Sequence, residues 1–464
     1  MKKIIILGGG ESGVGAALLA KVKGFEVFLS DKGMLSDKYK ETLSQNNIPF
    51  EEGQHTESKI LDAHEVIKSP GIPDKVELIK KLHSLKIPVI SEIEFASRYT
   101  KAKIVAITGS NGKTTTTLLT YHILKNAGLN VGLAGNVGES FAKQVINDTF
   151  DYFVLELSSF QLDNCFNFKA DVAILLNITP DHLDRYDYEF QNYIESKFRV
   201  LQNMTSADNF IYYQESEALI GELSKRTDLT VNRLPVSLAP PAPEGGATES
   251  KSSVLAPPLG AGGAVRGAFL TTNYKTQTFN FPISALPIKG SHNAINAMCA
   301  MLVCQSLGLD NEQITAGLKS FQSVEHRLEP CGEIKGVQYI NDSKATNVDS
   351  VFYALGSYDE PIILIMGGVD KGNDYRQIET LVTQKVKALI CMGTDNSKLV
   401  EFFGKKVPMI FTVDSMQKAV QLSSDLGTEG DVVLLSPACA SFDLFKNYED
   451  RGRQFKAAVE GLGN

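Results

Sequence analysis

Short apolar runs rich in β-branched residues alternate with longer, amphipathic stretches along the whole chain. Residues 4–7, 27–29, 104–107, 152–157, 172–176, 362–366, 388–391 and 432–435 are predicted strands. Most of these runs are continuously apolar, the pattern of strands covered on both faces of a parallel sheet. The segments between them carry helical spacing, so the order predicts several strand–helix units and an α/β fold. Two junctions divide the 464 residues. A helical stretch stops near 99–103 before a fresh strand, and another ends near 321–327. The expected domains are therefore residues 1–100, 101–323 and 324–464, in keeping with about three domains for this length.

One segment breaks the alternation. Residues 235–267 hold 6 Pro, 6 Ala, 6 Gly and 4 Ser in 33 positions. Such a composition buries little apolar surface, so a disordered surface loop is expected there. Elsewhere the composition is that of an ordinary folded chain, with 43% hydrophobic and 22% charged residues. No apolar run is long enough to cross a membrane, and the run after Met1 is too short for a signal peptide. A cytoplasmic address is the expectation. The net charge of −8 makes a nucleic-acid or anionic-membrane partner a poor expectation. The cysteines at 165, 299, 304, 331, 391 and 439 form no C-x-x-C pair and read as buried free thiols.

The strongest chemical motif is Thr108-Gly109-Ser110-Asn111-Gly112-Lys113-Thr114-Thr115, between a strand and the helix-like run 115–126. Glycines let backbone N–H groups turn inward around phosphate oxygens, and the helix N-terminus adds partial positive charge. Lys113 would reach the β/γ-phosphates and the Thr114 hydroxyl would ligate Mg²⁺. The eight-residue phosphate-loop pattern wants Gly where Ile107 stands, so the match is to the shorter G-x-x-G-K-T form. Glu156 closes the next apolar run, where a hard oxygen ligand for Mg²⁺ is wanted. His182 follows another strand between Asp181 and Asp184; such a trio can ligate metal, but on its own it reads as a turn histidine beside surface carboxylates.

A second glycine turn, Gly8-Gly9-Gly10-Glu11-Ser12-Gly13, satisfies G-x-G-x-x-G, and Asp31 closes the following strand. This is near the dinucleotide fingerprint, in which the acid meets a ribose hydroxyl. Ser69-Pro70-Gly71 reads as a further tight turn at the same sheet edge. A dehydrogenase needs only the first glycine turn and a simple NTPase only the second. Both together suggest ATP and another phosphorylated ligand. A nucleotide-gated regulatory protein is an alternative, but it gives residues 341–347 and 436–443 no task.

Residues 108–115, the segment Gly290-Ser291-His292-Asn293-Ala294-Ile295-Asn296 and the turn Glu325-His326-Arg327 resemble the Mur ligases, ATP-dependent amino-acid ligases that build the peptidoglycan stem peptide. Residues 156–162 (ELSSFQL), 341–347 (NDSKATN) and 436–443 (SPACASFD) are similar to the D-glutamate-adding members. Matching motifs run in order from residue 4 to about 453. A ligase adding another amino acid, or glutamates to folate, is the nearest alternative within the superfamily. The folate version should lack the N-terminal unit around residues 4–31.

The resemblance implies three domains: N-terminal Rossmann-like, central P-loop ATPase-like mononucleotide-binding, and C-terminal Rossmann-like. It implies ligation of D-glutamate to UDP-N-acetylmuramoyl-L-alanine through an acyl phosphate, with release of ADP and phosphate, in a cytoplasmic monomer. Gly10, Glu11, Ser12, Asp31, Ser69, Pro70 and Gly71 would face the UDP substrate, with Asn136, Ser158 and Gln161 along its muramyl–alanine arm. Gly109, Asn111, Gly112, Lys113, Thr114 and Thr115 would hold ATP, joined by Asn293, Arg327 and Asp342. Lys344, Thr346, Lys371, Ser436 and Phe442 would surround D-glutamate. Two Mg²⁺ sites would draw on Thr114, Glu156, His182 and Lys197, the last carbamylated by CO₂. Lys113, Glu156, His182 and Lys197 would carry the chemistry. On the residues alone, Lys197 reads as a solvated cation in a helix; only the resemblance gives it a role.

Overall fold

The computed structural model describes residues 2–238, 262–266, 269–322 and 324–463. Continuous apolar runs form parallel strands, as their patterning requires, and the described residues build three sheets. They fall into two compact units, one of residues 1–285 with 295–319, the other of 286–294 with 320–464.

The first unit contains two sheets. In the N-terminal one, strand Lys3–Leu7 lies between Glu26–Ser30 and Glu65–Lys68, with Phe50–Glu51 and Val89–Ile90 at the edges, all parallel. The glycine turn 8–13 and the turn at 69–71 therefore leave adjacent strands at one edge. In the larger sheet, Lys103–Thr108 lies between Val172–Leu175 and Tyr152–Glu156. Gly109 and His182 follow two of these strands, and Glu156 ends the third. This is the C-terminal edge of a parallel sheet, where open α/β folds bind ligands.

The two sheets share one apolar core. Helix Glu92–Ser97 joins them through two buried carboxylates. Glu92 Oε1 accepts from Ser140 Oγ at 2.7 Å and Ala142 N at 2.6 Å. Glu94 Oε2 accepts from the backbone N–H groups of Phe166, Asn167 and Phe168 at 3.0, 3.0 and 2.8 Å. A buried carboxylate needs such donors, since an unpaired one would be expensive.

In the second unit the sheet order is Glu329–Ile334, Val337–Asn341, Val432–Leu435, Ile362–Met366, Val386–Met392, Ile410–Val413. All neighbours are parallel except the first pair.

The predicted strands at 362–366 and 432–435 fall on their observed bounds. Those at 152–157 and 172–176 each stop one residue early. Edge strands escaped the pattern. Gln277–Pro282 and Glu329–Ile334 have no apolar run, and in Phe269–Tyr274, beside the first of them, three polar residues interrupt it. Part of the expected loop at 235–267 is strand. Residues 235–237 complete strand Asn232–Ser237, and Gly262–Arg266 pairs beside it. Residues 239–261 and 267 lie outside the described residues. Among the cysteines, Cys331 is half-buried rather than buried; all six are free thiols.

Candidate active site

The loop after strand Lys103–Thr108 turns through Gly109, at φ 150°, and Gly112, at φ 83°, before helix Lys113–Asn126 begins. Gly112 is also needed for space: a Cβ there would lie 2.6 Å from Asn296 Oδ1. The loop is braced from behind. Asn111 N donates to Asn177 Oδ1 at 2.9 Å, and Ser110 Oγ donates to Thr179 O at 2.9 Å.

Two lysines converge on this loop. Lys113 Nζ donates to Gly109 O at 2.8 Å and to Ser110 O at 2.9 Å. Lys197 Nζ donates to the same Gly109 O at 2.8 Å. Lys197 is only 1% exposed, which corrects the solvated-lysine reading of its helix. Its nitrogen lies 4.6 Å from the Tyr193 ring centroid, and the Tyr193 hydroxyl lies 3.2 Å from Ser110 Oγ. Burial, and next the nearby Lys113 charge, hold the Lys197 amine well below the ordinary lysine range.

Glu156 is 1% exposed, so it is no solvated strand end. Its Oε1 accepts from Asn136 Nδ2 at 2.8 Å, while Oε2 is buried with no hydrogen-bond partner among the described residues. An orphaned carboxylate oxygen beside a phosphate-type loop fits a divalent cation. His182 sits at φ 53°, partly exposed, with Nε2 3.5 Å from Asp181 Oδ2. Ser158 and Gln161 meet in a capping box at the start of helix Ser159–Leu162, so their mutual bonds shape the turn after Glu156.

At the first glycine turn, Asp31 bonds backbone of its own unit. Its Oδ2 accepts from Gly9 N at 2.5 Å and its Oδ1 from Gly33 N at 2.7 Å. Glu11 accepts from the Tyr39 hydroxyl at 3.0 Å. Gly10 and Ser12 belong to the same turn and helix start, and Ser69, Pro70 and Gly71 lie against it: a Cβ on Gly8 would fall 2.6 Å from Ser69 Cβ.

In the second unit, Asp342 is buried and accepts from Ser436 Oγ at 2.8 Å and Leu328 N at 3.3 Å. Burial pushes its carboxyl up to about 7 despite those bonds. Ser436 is itself fully buried, so its hydroxyl serves Asp342. Lys344 Nζ sits 3.6 Å from the Tyr448 ring centroid, and Thr346 N donates to Lys344 O at 2.9 Å. Lys371 and Phe442 are exposed. Asn293 Nδ2 donates to Lys289 O at 2.7 Å. Asn293 and Arg327 both belong to this second unit, whereas Gly109, Asn111, Thr114 and Thr115 belong to the first.

Several contributors had escaped notice. Asn296 lies in the first unit and accepts from Thr116 Oγ1 at 3.1 Å, three residues along one helix from Asn293. Asn177 and Ser110 brace the loop. Arg451, 1% exposed, donates to Ser343 O and Cys439 O at 2.8 and 3.2 Å, tying the 341–347 and 436–443 motifs together. Asn296 was legible from its helical spacing; Arg451 carried no local signal.

Comparison with known proteins agrees with this layout. The Mur ligase middle domain matches residues 107–304, the Mur ligase glutamate ligase domain residues 326–439, and the MurD N-terminal domain residues 3–78. The chain is 52% identical to a protein of Christiangramia forsetii named UDP-N-acetylmuramoylalanine–D-glutamate ligase, covering 99% of this chain and 100% of that one. It is 50% identical to a protein of the same name from Bacteroides fragilis, covering 100% of both. Among solved structures, a pseudomurein peptide ligase type C from Methanothermus fervidus has a TM-score of 0.61 at 20% identity, over 100% of each chain. The UDP-N-acetylmuramate-alanine ligase MurC from Thermotoga maritima has a TM-score of 0.58 at 18% identity, also over 100% of each. These two likenesses speak to the fold, while the full-length relatives speak to descent: the chain belongs to the Mur ligase family.

Proposed function

We propose that the protein ligates D-glutamate to UDP-N-acetylmuramoyl-L-alanine with ATP, as its full-length relatives are named for doing. The observation that carries the chemistry is the first-unit cluster of Lys113, Lys197 and the unpartnered Glu156 Oε2 around Gly109. An amide forms from a carboxylate only after activation. The alanyl carboxylate attacks the γ-phosphorus of ATP, the bond to the β-phosphate oxygen breaks, and ADP leaves. The amine of D-glutamate then attacks the acyl carbon, phosphate departs and the amine loses a proton. Lys113 and the 109–112 backbone hold and orient the phosphates, where electrostatic positioning supplies most of the rate.

Members of the family use ATP and Mg²⁺. Thr114, Glu156 and His182 are the residues that would hold magnesium, and bound Mg²⁺ would supply neutralisation of phosphate charge. Lys197 joins them as a carbamate in this reading. A buried amine held below the ordinary lysine range can add CO₂ with loss of one proton, which would place a carbamate anion beside the Lys113 cation. His182, partly exposed beside Asp181, is the candidate to take the amine's proton in place of ligating metal. In the second unit, Arg327 and Asp342 would meet the nucleotide, with Asn293. Lys344, Thr346, Lys371, Ser436 and Phe442 would meet D-glutamate. Gly10, Glu11, Ser12, Asp31, Ser69, Pro70 and Gly71 would bind the UDP moiety, and Asn136, Ser158 and Gln161 the muramyl–alanine arm. We take residues 1–100, 101–323 and 324–464 as the domain bounds, and a cytoplasmic monomer as the working form.

The test is phosphate release from ATP and Mg²⁺ with the UDP substrate and, separately, D-glutamate, L-glutamate, L-lysine or meso-diaminopimelate. Release that requires both the UDP substrate and D-glutamate is expected. Release driven by a different amino acid would keep the ligase and overturn the assignment of residues 341–347 and 436–443.

A further inference from the structure

We propose that Arg185 is a positioning residue for the turn at residues 69–71, fixing its backbone so that an anionic group of the UDP substrate meets a preset donor. The ligand's identity rests on the functional reading above; the geometry does not.

Arg185 ends the 3-10 turn Leu183–Arg185, just past His182. Its Nη2 donates to Pro70 O at 3.1 Å and its Nη1 to Gly71 O at 3.4 Å. The guanidinium carbon lies 4.3 Å from the Phe160 ring centroid. Two edges of the planar fork thus take successive carbonyls while its face stacks on an aromatic ring, a combination open to arginine and closed to lysine. Lys75 Nζ, donating to Asp184 O at 3.1 Å, ties the two loops a second time.

A trans peptide points its C=O and N–H in opposite directions. With Pro70 O held toward Arg185, the Gly71 N–H projects from the other side of the loop. No acceptor for it occurs among the described residues, whereas the next N–H, that of Ile72, donates to Ser69 O at 3.1 Å. Arg185 therefore sets the direction of one donor without touching the ligand. The turn it holds abuts the glycine turn at Gly8. Phe160 extends the linkage, because its ring also packs edge-on against His182 at 5.2 Å between centroids. The same guanidinium thus braces the substrate turn from the loop that bears His182. It borders a cleft of about 410 Å³, so truncating it removes little core packing.

Arg185→Ala and Arg185→Lys should be titrated, beside the wild type, with UDP-N-acetylmuramoyl-L-alanine, UDP and uridine, by calorimetry and ligand-observed NMR. Losing one preset hydrogen bond should weaken the two pyrophosphate ligands about 5- to 10-fold. Lysine should not rescue. Uridine affinity, the KM for ATP and kcat at saturating UDP substrate should stay within about twofold, which a general structural defect would not allow. Variants that bind both pyrophosphate ligands like the wild type overturn the proposal. So does an equal loss for uridine and UDP. If the alanine variant does not fold, the lysine variant decides. A wild type that binds no UDP substrate overturns the functional reading, and the assigned ligand with it. A wild type that binds alongside unaffected variants overturns Arg185 alone.

Discussion

The two glycine turns are built alike and charged oppositely. Each leaves a parallel strand at the C-terminal edge of its sheet and starts a helix. In the first, the helix opens with Glu11, and Asp31 fills the Gly9 and Gly33 N–H groups. An acid near a helix N-terminus already offsets the helix dipole. In the second, the helix opens with Lys113, and the buried Lys197 crowds the same carbonyl. That turn carries the Lys113 charge, which a phosphate would balance. Glycine spacing sets the backbone path, and the side chains facing it decide whether the turn takes a polyphosphate. A motif search sees only the first of these.

The largest effect should come from removing the charge that separates them. Lys113→Ala should lower turnover by about 10³-fold or more, as for other cations aimed at a transferring phosphoryl group. Binding of the UDP substrate, measured by calorimetry, should be nearly unchanged; a matching loss there would erase the contrast between the turns. Lys197→Ala should lower turnover by about 10²-fold or more on the same electrostatic grounds. Formate or acetate should restore part of the activity by supplying the missing oxygens. Normal activity without rescue would return Lys197 to a structural role.

Smaller effects test the backbone half of the comparison. A Cβ at Gly13 would lie 1.9 Å from Gly8 O, whereas one at Gly10 meets nothing within 4 Å. Gly13→Ala should cost about 1–3 kcal/mol in denaturant unfolding, as overpacking does. Gly10→Ala should stay within about 0.5 kcal/mol, and a similar cost for both would count against the close-packing account. The smallest expected effect is one of pH. Burial raises Glu92 to about 7, with a further push from the Glu11 charge. An unfolded glutamate titrates near about 4.3. Stability from this group is therefore fully present below about 4.3 and lost as pH rises through about 7. Glu92→Gln should flatten that part of the stability–pH curve, and an unchanged curve would mean that Glu92 stays ionised.

Much of the architecture could be read from apolar runs, because a strand covered on both faces has few polar positions to obscure it. The phosphate-type loop was legible for a similar reason: glycine, lysine and threonine at fixed spacing admit few other uses. Lys197 was not, because a buried and a solvated helical lysine look the same in local sequence. Its ammonium-bearing end is held by the Gly109 carbonyl, 88 positions away. Ser158 and Gln161 did carry a local S-x-x-Q cap signature, which the structure realises as bonds between them. Arg451 shows the limit most clearly, since its role exists only once two distant motifs are folded together.

The carboxylate of Glu94 bears on how such a chain comes to be made. Its three backbone donors lie at residues 166–168, more than seventy positions downstream. During synthesis from the N-terminus, the first sheet is complete well before those donors exist. Until they emerge, a side chain that ends fully buried must remain hydrated. The helix that carries it cannot settle alone. The N-terminal sheet and the phosphate-loop sheet are thus partners in biogenesis, and a cut at residue 100 would separate the Glu94 carboxylate from all three of its backbone donors and leave it only Arg98 at 3.6 Å.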